Sequence, residues 1–158
     1  MSLLLAFALL LFPPHHLAPA PFGWPLETPE VTRRFDPPPQ PWSPGHRGVD
    51  LGGRPGATVR AAGAGTIVYA GVIAGRGVVS VRHLSGLRTT YEPVVVDTSL
   101  RVGSPVMGGQ RLGSLSVGHA GCPRTACLHW GLRRGAEYLD PLALLGKGRV
   151  RLLPLMPH

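Results

Sequence analysis

From Thr58 to Leu115 the chain is a succession of short runs divided by glycine, and that punctuation is what most limits the folds open to it. Thr58–Ala62, Thr66–Ala70, Val78–His83, Leu87–Tyr91, Val102–Val106 and Gln110–Leu115 are each of strand length, and most are rich in β-branched or aromatic residues. Glycine returns between them at roughly eight- to twelve-residue spacing, the rhythm of antiparallel strands and tight turns. The 22 Gly and 18 Pro of the chain leave little room for long helices. The expected fold class is all-β, an antiparallel β-sheet core with a short C-terminal helix or turn at Pro141–Leu145, where Asp140 supplies an N-cap.

A length of 158 residues suits one domain with a real core, and a hydrophobic share of 44% excludes global disorder. The formal charge of +8 favours a polyanionic surrounding, such as an anionic membrane or an acidic cell-wall polymer. No basic stripe interleaved with aromatics is present, so a nucleic-acid partner is not expected. Leu3–Phe12 is an unbroken apolar run of signal-peptide length, followed by the small residues Ala18-Pro19-Ala20, although a positively charged leader start is missing. Residues 1–20 are read as a signal peptide or a retained N-terminal anchor that tethers the chain to a membrane. The expected location is secreted or cell-envelope associated, outside the cytoplasmic membrane. Residues 21–43 are proline-rich and read as a linker or extended strip, with Val31–Phe35 as its best strand; residues 44–146 form the β core. The basic, apolar tail 147–158 carries no assignable role.

Chemistry concentrates in two stretches. In PGHRGVDLGGRPG, His46 and Asp50 stand four apart among too many glycines for a helix, so a turn running into a strand at Val49–Leu51 is expected. An imidazole and a carboxylate converging on one point suit a borderline metal such as zinc; a plain His–Asp hydrogen bond or two unrelated surface residues are the alternatives. The other stretch is GCPRTACLHWGLRR. Strand alternation there puts Cys127, His129 and Gly131 on one face and Leu128, Trp130 and Leu132 on the other. The apolar set belongs to the core, which turns His129 toward a groove. Cys122 and Cys127, five apart and outside the spacing of a zinc knuckle, are expected to form a disulfide in an exported chain. Free thiols or thiolate ligands are the alternatives.

His46-x-x-x-Asp50, the strand series ending in GLRTTYEPV, and Leu128-His129-Trp130 before Tyr138-Leu139-Asp140-Pro141 together resemble the lysostaphin-type zinc endopeptidases, over about Val31 to Leu145. That resemblance implies cleavage of cross-link peptides in bacterial peptidoglycan, one Zn(2+) ion, and His46, Asp50 and His129 as its protein ligands. It implies a peptidoglycan or cell-wall peptide as the partner. The chain also departs from the family pattern. Where the family has a histidine in Tyr-x-His-Leu, this sequence reads Tyr91-Glu92-Pro93-Val94, and the first histidine of His-x-His is Cys127. Both residues would ordinarily handle protons. His119, on the loop before the final strand, is the candidate catalytic substitute; His83 and Glu92 are weighed and set aside. A zinc-binding but catalytically degenerate wall-peptide binder is the rival reading.

Overall fold

The computed structural model describes residues 22–40 and 42–146. The apolar leader and the basic tail lie outside the described residues. The strands run β1 Glu30–Arg33, β2 Gly48–Gly53, β3 Thr58–Arg60, β4 Gly65–Ile73, β5 Arg76–Arg82, β6 Leu87–Glu92, β7 Val94–Val96, β8 Pro105–Val106, β9 Arg111–Leu115, β10 Ala126–Arg134 and β11 Glu137–Leu139. The chain is all-β and its pairings are antiparallel. A large sheet has the order β1-β2-β10-β6-β5-β4-β8, with β11 added to the end of β10, and a smaller sheet has the order β3-β9-β7.

The strand expected across Val102–Val106 shrinks to β8, because Gly103 turns at φ 90° and its amide bonds the Ile67 carbonyl. The strand expected at Val31–Phe35 is instead Glu30–Arg33, paired with β2 through an irregular register. At the C-terminal end a 3-10 turn, Pro141–Leu145, follows Asp140, whose carboxylate accepts the Leu142 N–H at 2.9 Å.

Period-two alternation builds the core from the large sheet's inner face. Val49 and Leu51 of β2, Leu128 and Trp130 of β10, Tyr91 of β6 and Val79 and Val81 of β5 are all fully buried. Val59, Val94, Leu112 and Leu115 meet them from the smaller sheet. Cutting one such leucine to alanine removes about 2–5 kcal/mol. The outer face of the same strands is therefore held on a stiff backing. β10 sits centrally, pairing β2 from Ala126↔Gly53 to Gly131↔Gly48 and β6 from His129↔Glu92 to Arg134↔Leu87.

One polar chain runs through this interior. The Ala64 carbonyl can only accept, so His83 Nδ1 donates to it at 2.8 Å and the neutral ring leaves Nε2 as an acceptor. Thr89 Oγ1, at 2.9 Å, then donates to Nε2; Tyr91 donates its hydroxyl to Thr89 at 2.8 Å; and the Ala62 N–H donates to the Tyr91 oxygen at 2.8 Å. Every polar atom in that sequence has one direction available and uses it. Burial pushes the His83 imidazolium down in pKa against the bond to Ala64, and pushes the Tyr91 phenol up to about 12. His83 thus serves the core.

Candidate metal centre and groove

On the outer face, β2 presents Gly48, Asp50 and Gly52, and β10 presents His129, Gly131 and Arg133. Register sets Asp50 directly beside His129. His46, two residues before β2, is fixed by an isolated bridge to Asp36, with backbone bonds of 2.7 and 2.9 Å. Gly48 makes room for the meeting. A Cβ there would lie 2.5 Å from the Trp130 carbonyl oxygen and 2.7 Å from His129 Nε2. Gly48 opens the strand rather than a turn, and its structural task is to leave space for an imidazole.

The three side chains converge. His46 Nε2 is 2.9 Å from Asp50 Oδ1 and 3.1 Å from His129 Nδ1, and His129 Nδ1 is 2.9 Å from the same Asp50 oxygen. His46 Nδ1 lies 2.7 Å from the Arg34 carbonyl and must donate to it. Whenever the ring is neutral, this leaves an Nε2 lone pair aimed at a carboxylate oxygen. Three acceptor atoms meet there, with at most one proton among them, on His129 Nδ1. A cation at the centre resolves the conflict, whether a further proton or a metal.

Donor spacing fits a metal. Zinc bonds of about 2.0–2.2 Å place tetrahedral donors about 3.4 Å apart, so the observed contacts need to open by only roughly half an ångström or less. Two imidazoles and one carboxylate are a borderline donor set, and the Arg34 carbonyl fixes the His46 tautomer as an outer partner commonly does. Among the described residues, His46, Asp50 and His129 form a group able to hold a metal ion. Burial by itself would push the Asp50 pKa up, but the imidazoles of His129, His46 and His119 outweigh it and hold the carboxyl well below the usual carboxylate range.

His119 arrives from the β9–β10 loop, whose backbone reverses at Gly118 and Gly121 with φ of 99° and 76°. Its Nε2 stands 3.0 Å from Asp50 Oδ2, a close contact off the axis of a formed hydrogen bond, and its ring lies 5.9 Å from that of His129. The Cys122–Cys127 disulfide closes this loop against β10. Cys127 is 0% exposed and has no thiol for ligation or proton transfer. Glu92, set aside in the sequence reading because it faces away from Pro93, points into the groove opposite His129, with Arg76 Nε 3.8 Å from its carboxylate. Strand alternation carried that signal. Opposite to Pro93 is the groove side.

The groove itself, about 540 Å³, follows β10 and β6 away from His129, over Gly131, Thr90 and Ser80, toward Arg88 and Arg133.

Comparison with known proteins agrees with this architecture. Uncharacterized protein Rv2891 of Mycobacterium tuberculosis is 51% identical over 158 residues, covering 97% of this chain and 63% of that protein; the chain thus spans less than two thirds of its relative's length. Helicobacter pylori Csd3 superposes with a TM-score of 0.60 at 28% identity, over 85% of this chain and 38% of that one. The solution structure of lysostaphin superposes with a TM-score of 0.61 at 24% identity, over 81% of this chain and 57% of that one, a likeness of fold. Residues 44–141, from just before the first converging histidine to the start of the 3-10 turn, match Peptidase family M23, and the chain belongs to that family.

Proposed function

We propose that this chain is a zinc metalloendopeptidase of the bacterial envelope that cleaves cross-link peptides of peptidoglycan. The observation that carries the reading is the His46–Asp50–His129 cluster, whose acceptor atoms meet at one point beside an open groove. His46 Nε2, Asp50 Oδ1 and His129 Nδ1 would hold the ion, which when bound supplies Lewis acidity toward a peptide carbonyl and acidifies a water. The chain's own residues do the rest. The Arg34 carbonyl keeps the His46 lone pair aimed inward, and the stiff β2–β10 pair fixes ligand spacing. His119 holds a titratable nitrogen against Asp50 Oδ2 at the rim, where it can take up or release a proton. Glu92 is a second group on the groove floor able to share that task. Export is supported by the apolar run Leu3–Phe12 and by a disulfide, a bond that persists in oxidising compartments.

A second reading has its own support. Pro93 and the disulfide-bound Cys127 stand where the lysostaphin-type pattern has proton-handling histidines, so the centre would bind wall peptide without cutting it. Turnover separates the two. Zinc-loaded full-length protein incubated with purified peptidoglycan of several cross-link types should release new amino termini, and His119→Ala should slow that release with zinc content unchanged. Zinc-loaded protein that binds peptidoglycan and releases no amino termini would establish the binding reading.

A further inference from the structure

We infer that the far end of the groove is a carboxylate-binding subsite, built by Arg88 and Arg133 with Arg82 at its edge, for an acidic group on the peptide that reaches the metal centre; this rests on the peptide-binding reading above.

Strand register makes the case. Arg88 of β6 lies directly opposite Arg133 of β10 on one side and Arg82 of β5 on the other, so three guanidinium side chains form one row across three neighbouring strands. Alternation sends all three to the outer face, since the residue next to each along its own strand, Val81, Thr89 and Leu132, is buried. Like charges set directly opposite one another destabilise a sheet. No carboxylate among the described residues answers the row: none of the three forms an ion pair and Arg88 Nε is buried without a hydrogen-bond partner, while Arg133 lies 5.7 Å from the centre of the Tyr138 ring and donates to the Gly135 carbonyl at 2.7 Å. Burial, Arg133 and Arg82 act to lower the Arg88 pKa, and Tyr138 offsets them only in part. Among the described residues three other arginines do have a carboxylate partner: Arg76 with Glu92, Arg111 with Asp97 and Arg124 with Glu30. Arg124 meets Glu30 through two bonds of 2.7 Å and one of 3.0 Å.

The row is also placed to measure length. His129 and Arg133 share the groove face four residues apart, which is roughly 13 Å of strand. Between them the floor is small and polar: Gly131, Thr90 and Ser80, the last two joined at 3.0 Å. An extended peptide with its scissile carbonyl at His129 therefore brings a group three to four residues away over the guanidinium row. A planar carboxylate accepting from the guanidinium groups of Arg88 and Arg133 would cancel the repulsion. It would also give the site a ruler that reads peptide charge at a fixed distance from the cut.

The test uses the full-length protein and capped alanine–glycine hexapeptides carrying one glutamate at either end, or glutamine in its place, titrated calorimetrically with and without zinc. Wild type should bind one glutamate peptide at least tenfold more tightly than its glutamine twin, with the preference fading in high salt. Arg88→Gln and Arg133→Gln should each remove most of that preference and leave zinc content and glutamine-peptide affinity unchanged. Arg88→Gln should also melt no lower than wild type, because it relieves repulsion. Arg124→Gln, at the paired arginine, should keep the preference. Equal affinity for the two peptides, binding of neither, or a preference that survives both groove substitutions would overturn the subsite. Discrimination that persists without any hydrolysis would support the subsite while counting against the peptidase reading.

Discussion

His83 and His46 each donate an Nδ1 proton to a backbone carbonyl, Ala64 at 2.8 Å and Arg34 at 2.7 Å, and each is nearly out of solvent. Their Nε2 atoms meet opposite surroundings. His83 finds a hydroxyl that can donate, and the chain through Thr89 and Tyr91 closes with every donor matched to an acceptor. His46 finds a carboxylate oxygen and another imidazole nitrogen, both acceptors or at best one donor between them. The same residue type, fixed by the same kind of bond, thus builds a finished network in one place and an unfinished one in the other. Buried networks short of a partner are expensive, so they persist where something outside the chain completes them. In this molecule a cation would complete the network, and the unfinished network faces the groove.

Substitutions that strike the two networks separately should behave very differently. The largest effect is expected at the unfinished one: Asp50→Ala, His46→Ala or His129→Ala should abolish zinc uptake and with it any peptide hydrolysis, as read by elemental analysis and amino-terminus release. Next, His119→Ala should lower turnover by about 10²–10⁴-fold, the usual range for a positioned acid or base, with zinc retained. An unaltered rate would take His119 out of the chemistry and leave Glu92→Gln as the variant to measure.

At the finished network the cost falls on stability alone. Thr89→Val leaves His83 Nε2 and the Tyr91 hydroxyl without each other's relay, and should cost about 1–3 kcal/mol in urea unfolding while zinc affinity stays unchanged. A zinc affinity that fell in step with stability would show the two regions to be one coupled unit. The smallest effect concerns pH. Burial lowers the folded His83 pKa below its unfolded value of about 6.5, so its contribution is fully present above that pH and is lost as pH falls below it toward the folded value. The urea midpoint of the zinc-loaded protein should decline between pH 7 and pH 5.5, and less steeply in His83→Gln.

Much of this could be read from the residues. Glycine spacing and β-branched runs located most strands, because each strand's alternation is written locally; β7 and β11, three residues apiece, lack the length to show it. His129 was placed on the groove face by the apolar set Leu128, Trp130 and Leu132, and the fold puts that face beside Asp50. His119 was reachable only as a spare imidazole on an adjacent loop, and tertiary folding at Gly118 and Gly121 brings it to Asp50 Oδ2. What stayed out of reach depends on registers between distant strands. Neither the Arg34 carbonyl that fixes the His46 tautomer nor the alignment of Arg82, Arg88 and Arg133 follows from any local pattern.

The central claim is that the His46–Asp50–His129 network is completed by a metal cation, and calorimetric titration of zinc into chelator-stripped, full-length protein near neutral pH tests it most directly. With circular dichroism confirming the β fold throughout, wild type and Thr89→Val should each take up about one zinc per chain, and Asp50→Ala should take up none. A folded, stripped wild type that binds no more zinc than Asp50→Ala would contradict the account.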